Sequence, residues 1–88
     1  MKKILVTGGC GFIGSNFIRL VHEKRPDWKI INADVLTYAA NPYNLSELQD
    51  SERYHFEQVD IADGAAVNAL FGTHQPDWVF HFAAESHV

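Results

Sequence analysis

The stretch Ile4-Leu5-Val6-Thr7-Gly8-Gly9-Cys10-Gly11-Phe12-Ile13-Gly14-Ser15 joins a short apolar run to a glycine-rich turn and then to a helix-patterned segment. Two glycine spacings overlap in it. Gly8, Gly11 and Gly14 give G-x-x-G-x-x-G, while Gly9, Gly11 and Gly14 give G-x-G-x-x-G. Between a strand and a helix, either makes a dinucleotide the first ligand to consider. A tight turn needs residues without a Cβ penalty, and a pyrophosphate reaches the amides of a helix N-terminus only where no side chain blocks it. The last glycine lets the helix pack close to its strand. Short glycine strings also form plain packing turns, so the flanking pattern matters. From Phe12 to Glu23 the residues Phe12, Ile13, Phe17, Ile18, Leu20 and Val21 read as a broad apolar helix face.

Outward from this turn, strand and helix signals alternate. Lys3 to Thr7 reads as the first strand and Phe12 to about Lys24 as a helix stopped by Pro26. Trp28 to Ala33 reads as the second strand. Asn44 to Gln49 reads as a short helix with Asn44 or Ser46 as cap, and Tyr54 to Val59 as the third strand. Asp63 caps a helix to about Thr73, and Pro76-Asp77 turns into a fourth strand, Trp78 to Phe82. The fold class expected is α/β, a Rossmann-type parallel sheet in the order 3-2-1-4 with helices on both faces. Its ligand crevice lies between strands one and four, where the order reverses. A complete dinucleotide-binding fold adds further strands beyond the fourth, so the sequence reads as the N-terminal part of one such domain, cut after the fourth strand.

Composition bounds the alternatives. The chain has 88 residues, 47% hydrophobic and 20% charged, with no internal repeat or low-complexity tract. A domain of this size buries only roughly 60–65% of its unfolded surface, which is marginal for a sheet covered on both faces. A net charge of −4 with seven lysines and arginines gives no basic patch for nucleic acid. No segment is long enough for a signal peptide or a membrane span, and a single cysteine fits a reducing compartment, so the expectation is a soluble cytoplasmic protein.

Asp34 falls at the end of the second strand, twenty residues after Gly14. A carboxylate there accepts both hydroxyls of an adenosine ribose and repels a 2′-phosphate, which favours NAD over NADP. Asp60-Ile61, after the third strand, suits either an adenine contact or a turn-forming aspartate. The small residues Ala83 and Ala84 allow close approach to a nicotinamide ribose, and Ser86 and His87 fall near the crevice. His22, His55, His74, His81 and His87 show no helical pairing and no cysteine partner, so no metal site is expected. Cys10 reads as a small loop residue.

Taken together, Thr7 to Gly14, Asp34, Asp60-Ile61 and Phe82 to Val88 resemble the extended short-chain dehydrogenase/reductase family. Leu36-Thr37-Tyr38-Ala39 with Asn41, and the string Ala83-Ala84-Glu85-Ser86-His87-Val88, are similar to its branch of NAD-dependent 4,6-dehydratases acting on dTDP-glucose. The resemblance implies that Phe12 and Ile13 present amides to the pyrophosphate and that Asp34, Val35, Leu36 and Thr37 surround the adenosine ribose. It implies Asp60 and Ile61 at the adenine, Phe82, Ala83, Ala84 and Ser86 at the nicotinamide side, and Ser86 and His87 at the sugar nucleotide. Val35 and Ala40 depart from it, where the family commonly has lysine and glycine. The implied reaction removes hydride at C4 of the sugar, eliminates water across C5 and C6, and returns hydride to C6. Its Tyr-x-x-x-Lys pair is not in this chain, where no tyrosine has a lysine four residues on. The resemblance further implies a homodimer for the whole protein. A related nucleotide-sugar epimerase or dehydratase, or an NAD-binding module without chemistry, remains the alternative.

Overall fold

Apolar residues alternate sides along the central strands, and that alternation builds two cores. The computed structural model describes residues 2–9, 11–35 and 45–82. Strand β1 (Lys2–Thr7) is followed by helix α1 (Phe12–Lys24), β2 (Trp28–Asp34), a 3-10 turn (Ser46–Leu48), β3 (Tyr54–Gln58), α2 (Gly64–His74) and β4 (Trp78–His81). All pairings are parallel, in the order β3-β2-β1-β4. This is the order expected as the simplest for such an alternation of strands and helices. The middle strands β1 and β2 are buried on both faces, and their sequences KKILVT and WKIINAD are correspondingly rich in β-branched and aliphatic residues.

On one face Ile4, Val6 and Ile30 pack with Ile18 and Val21 of α1 and with Leu45, Leu48 and Tyr54. On the other, Leu5, Ile31 and Ala33 meet Leu70 of α2. Period-two alternation thus sends neighbours in sequence to opposite cores. Leu70 is the buried residue of α2. Truncating it to alanine should cost the chain about 2–4 kcal/mol in chemical denaturation, because a buried leucine leaves a cavity that one helix cannot close.

Three expectations change in detail. Helix α1 buries Gly14, Ser15, Ile18 and Val21, whereas Phe12, Ile13 and Leu20 are 61%, 64% and 55% exposed. The two small residues let the helix start approach the sheet closely, and that rotation turns Phe12 and Ile13 outward. The short helix after Pro42 is a single 3-10 turn entered from Leu45 without a side-chain cap; Asn44 lies outside the described residues. Edge strand β4 ends at His81, one residue before the expected Phe82, and is mostly exposed along its length.

Polar contacts fix the ends of the elements. Asp63 Oδ1 accepts from Ala66 N and caps α2, as the sequence indicates. The Arg53 guanidinium donates to the carbonyls of His22, Arg25 and Trp28, placing a cation at the carboxyl end of α1. Asp77 N donates to Lys3 O and Asp77 Oδ2 accepts from Lys3 N, which sets β4 beside β1.

Candidate functional site

The carboxyl ends of the strands and the turn after β1 form one rim. Gly8 leaves the strand with φ 74°, a left-handed conformation that favours glycine. Its amide donates to Ala33 O at 3.0 Å, and its carbonyl accepts from Gly11 N at 3.2 Å, which closes the turn. Helix α1 then starts at an extended Gly11, with no side-chain cap and no acidic residue in its first turn. The amide ends of its first turn and the helix dipole therefore favour an anion there.

Steric demand separates the glycines. A Cβ on Gly14 would strike Gly8 O and lie 2.8 Å from Gly9 Cα, so α1 can sit on the turn only with glycine there. One on Gly9 would strike Asn32 Oδ1 and come within 2.5 Å of Ile18 Cδ1. On Gly11 the nearest atom would be Gly8 O at 3.6 Å, an ordinary contact. Among the described residues nothing forbids a side chain at Gly11, whose φ of −77° suits any residue. Gly11 is exposed at the uncapped helix start, where a Cβ would find only that one ordinary contact.

Asp34 ends β2 one residue beyond Ala33, which pairs in register with Thr7. Its carbonyl accepts from Val59 N at 2.9 Å, and Gln58 Nε2 donates to Val35 O at 3.0 Å, so the end of β3 steadies the backbone of Asp34 and Val35. Val35 itself is 51% exposed. Phe82 joins the rim from β4, its amide donating to Thr7 O at 2.8 Å while its ring packs 5.3 Å from that of Phe17. Asp60 forms a turn: Oδ1 accepts from Ala62 N at 2.9 Å and its carbonyl from Asp63 N at 2.9 Å, with Ile61 half-buried beside it. Leu36, Thr37, Ala83, Ala84, Ser86 and His87 lie outside the described residues, as does Cys10.

The structure adds one pair that sequence reasoning passed over. Thr7 Oγ1 and His81 Nδ1 are 2.5 Å apart, in register across β1 and β4 where the strand order reverses. The available signal was positional, since each is the last residue of a strand flanking the crevice.

A parallel 3-2-1-4 sheet, a glycine turn with an open cradle at the start of α1 and an acid at the end of β2 define a Rossmann-type unit of the short-chain dehydrogenase/reductase class. The profile of the GDP-mannose 4,6 dehydratase family matches residues 5–88, and the chain belongs to that family. It is 54% identical over 86 residues to a dTDP-glucose 4,6-dehydratase of Shigella flexneri, an alignment covering 98% of this chain and 24% of the relative. Among solved structures it resembles the dTDP-glucose 4,6-dehydratase of Bacillus anthracis in complex with NAD, with TM-score 0.84 and 36% identity over 93% of this chain and 26% of that one. The UDP-Glc/GlcNAc 4-epimerase of Campylobacter jejuni follows with TM-score 0.78 and 30% identity over 93% and 24%. The chain thus spans about a quarter of the length of the relatives it matches.

Proposed function

We propose that this chain is the cofactor-holding part of an NAD-dependent dTDP-glucose 4,6-dehydratase. The observation that carries the reading is the Gly11 cradle, a space open to a Cβ at the uncapped start of α1. The identity of 54% to a relative of that name supports the substrate. In this reading Gly8, Gly11 and Gly14 keep side chains away from the pyrophosphate while the amides of Phe12 and Ile13 hold it. Asp34 accepts the ribose hydroxyls, with Val35, Leu36 and Thr37 around them, and Asp60 and Ile61 border the adenine. Phe82, Ala83, Ala84 and Ser86 line the nicotinamide side, and Ser86 with His87 meets the sugar nucleotide. NAD, when bound, supplies the hydride acceptor that makes C4 oxidation possible and that restores the hydride within the same turnover. Proton transfer needs a Tyr-x-x-x-Lys pair and a carboxylic acid, which this reading assigns to chain outside residues 1–88. The whole protein is then a cytoplasmic homodimer; among the described residues no helix is long and apolar enough to cross a membrane.

The test is to incubate the full-length protein with dTDP-glucose and follow the 4-keto-6-deoxy product. Turnover without net consumption of NAD is expected. The likeness to a UDP-sugar 4-epimerase favours a second reading, NAD-dependent epimerisation. An unchanged dTDP-glucose together with epimerised UDP-glucose would establish that reading and discard the first. Asp34→Ala should lower NAD affinity roughly tenfold to hundredfold in calorimetric titration, the worth of hydrogen bonds to a charged acceptor. Because Asp34 is only partly buried at a strand end, the melting temperature should stay near that of the parent.

A further inference from the structure

Strand β3 is an edge of the sheet, and its residues His55 and Glu57, two apart, face the same side as α2. The last turn of α2 brings His74 over them. Glu57 Oε2 lies 2.7 Å from His74 Nε2 and 3.2 Å from His55 Nε2, and the imidazole rings are 5.2 Å apart. One ligand atom from each of the three residues falls within a 4.8 Å span. A tetrahedral ion with bonds of about 2.0–2.2 Å holds its ligands about 3.3 Å apart, so small side-chain rotations suffice to enclose one.

We propose that His55, Glu57 and His74 bind a divalent transition metal, zinc above all, which pins the end of α2 to the edge strand. Two imidazoles with one carboxylate select zinc, nickel or copper rather than magnesium or calcium. The anchor is already positioned: the side chain of His74 is only 11% exposed, and its carbonyl accepts from Lys3 Nζ at 3.2 Å. The Glu57 carboxyl is held below its ordinary value, first by the His74 hydrogen bond and then by that from His55, against the effect of partial burial. A cavity of about 240 Å³, lined by Glu57, Val59, Ala66, Ala69, Leu70 and Thr73, meets the cluster at Glu57.

The experiment uses the full chain, tag-free and treated with chelator, titrated with zinc chloride by calorimetry and with cobalt(II) for its tetrahedral absorption bands. One zinc per chain is expected, with a melting temperature that rises as zinc is added. His55→Ala, at an exposed position, and His74→Ala should each weaken zinc at least tenfold and abolish the cobalt bands. His22→Ala should bind as the parent does. Absence of zinc binding at millimolar concentration, or parental affinity in both His55→Ala and His74→Ala, would overturn the proposal.

Discussion

Gly14→Ala is expected to damage both the fold and the cofactor site. The added methyl would meet Gly8 O and lie 2.8 Å from Gly9 Cα, and both are backbone atoms that cannot rotate aside. Helix α1 must then shift away from the turn. Overpacking of this kind costs about 1–3 kcal/mol, and more where the neighbour cannot give. The same shift carries the first-turn amides out of position for a pyrophosphate, so NAD affinity should fall about a hundredfold, close to 3 kcal/mol. Chemical denaturation and NAD titration of the full-length variant read the two effects separately. Parental values in both would mean that α1 does not rest on the turn as described.

Gly11→Ser should split those effects. Gly11 is the N-cap of α1, in an extended conformation open to any residue, and a Cβ there has ordinary contact at 3.6 Å. Serine is a better N-cap than glycine by a few tenths of a kcal/mol, so stability should hold or rise slightly. Its hydroxyl would occupy the cradle and satisfy an amide meant for phosphate, and dinucleotide affinity should drop at least tenfold. An affinity equal to the parent's, with the fold intact, would sink the assignment of this cradle to a pyrophosphate. Gly14→Ala and Gly11→Ser thus distinguish a glycine required by packing from one required by a ligand.

The difference between these two glycines was not legible in their spacing, because either overlapping pattern contains both. Only the position of the Gly8 carbonyl separates them. Likewise the apolar pattern of α1 located the helix from Phe12 to Lys24 but assigned too wide a buried face. An apolar residue at a helix start can face solvent where a small neighbour takes the close contact, and Phe12 and Ile13 do so beside Gly14 and Ser15. Asp60 shows the opposite case. Its residue type allowed two roles, and in the fold it forms the turn, with Oδ1 on the Ala62 amide.

By itself the sequence determined the succession of strands and helices, the parallel order and the glycine turn with Asp34 beyond it. Each of these depends on residues near one another in the chain, where periodicity, caps and glycine geometry act locally. Tertiary structure alone decided which side chains from distant segments meet. Thr7 reaches His81 across 74 residues, and Glu57 reaches His74 across 17, through the crossover of α2 from one edge of the sheet to the other. The histidines showed no helical pairing because two of them pair through a strand and a crossover. No spacing rule along the chain records a distance that only packing sets.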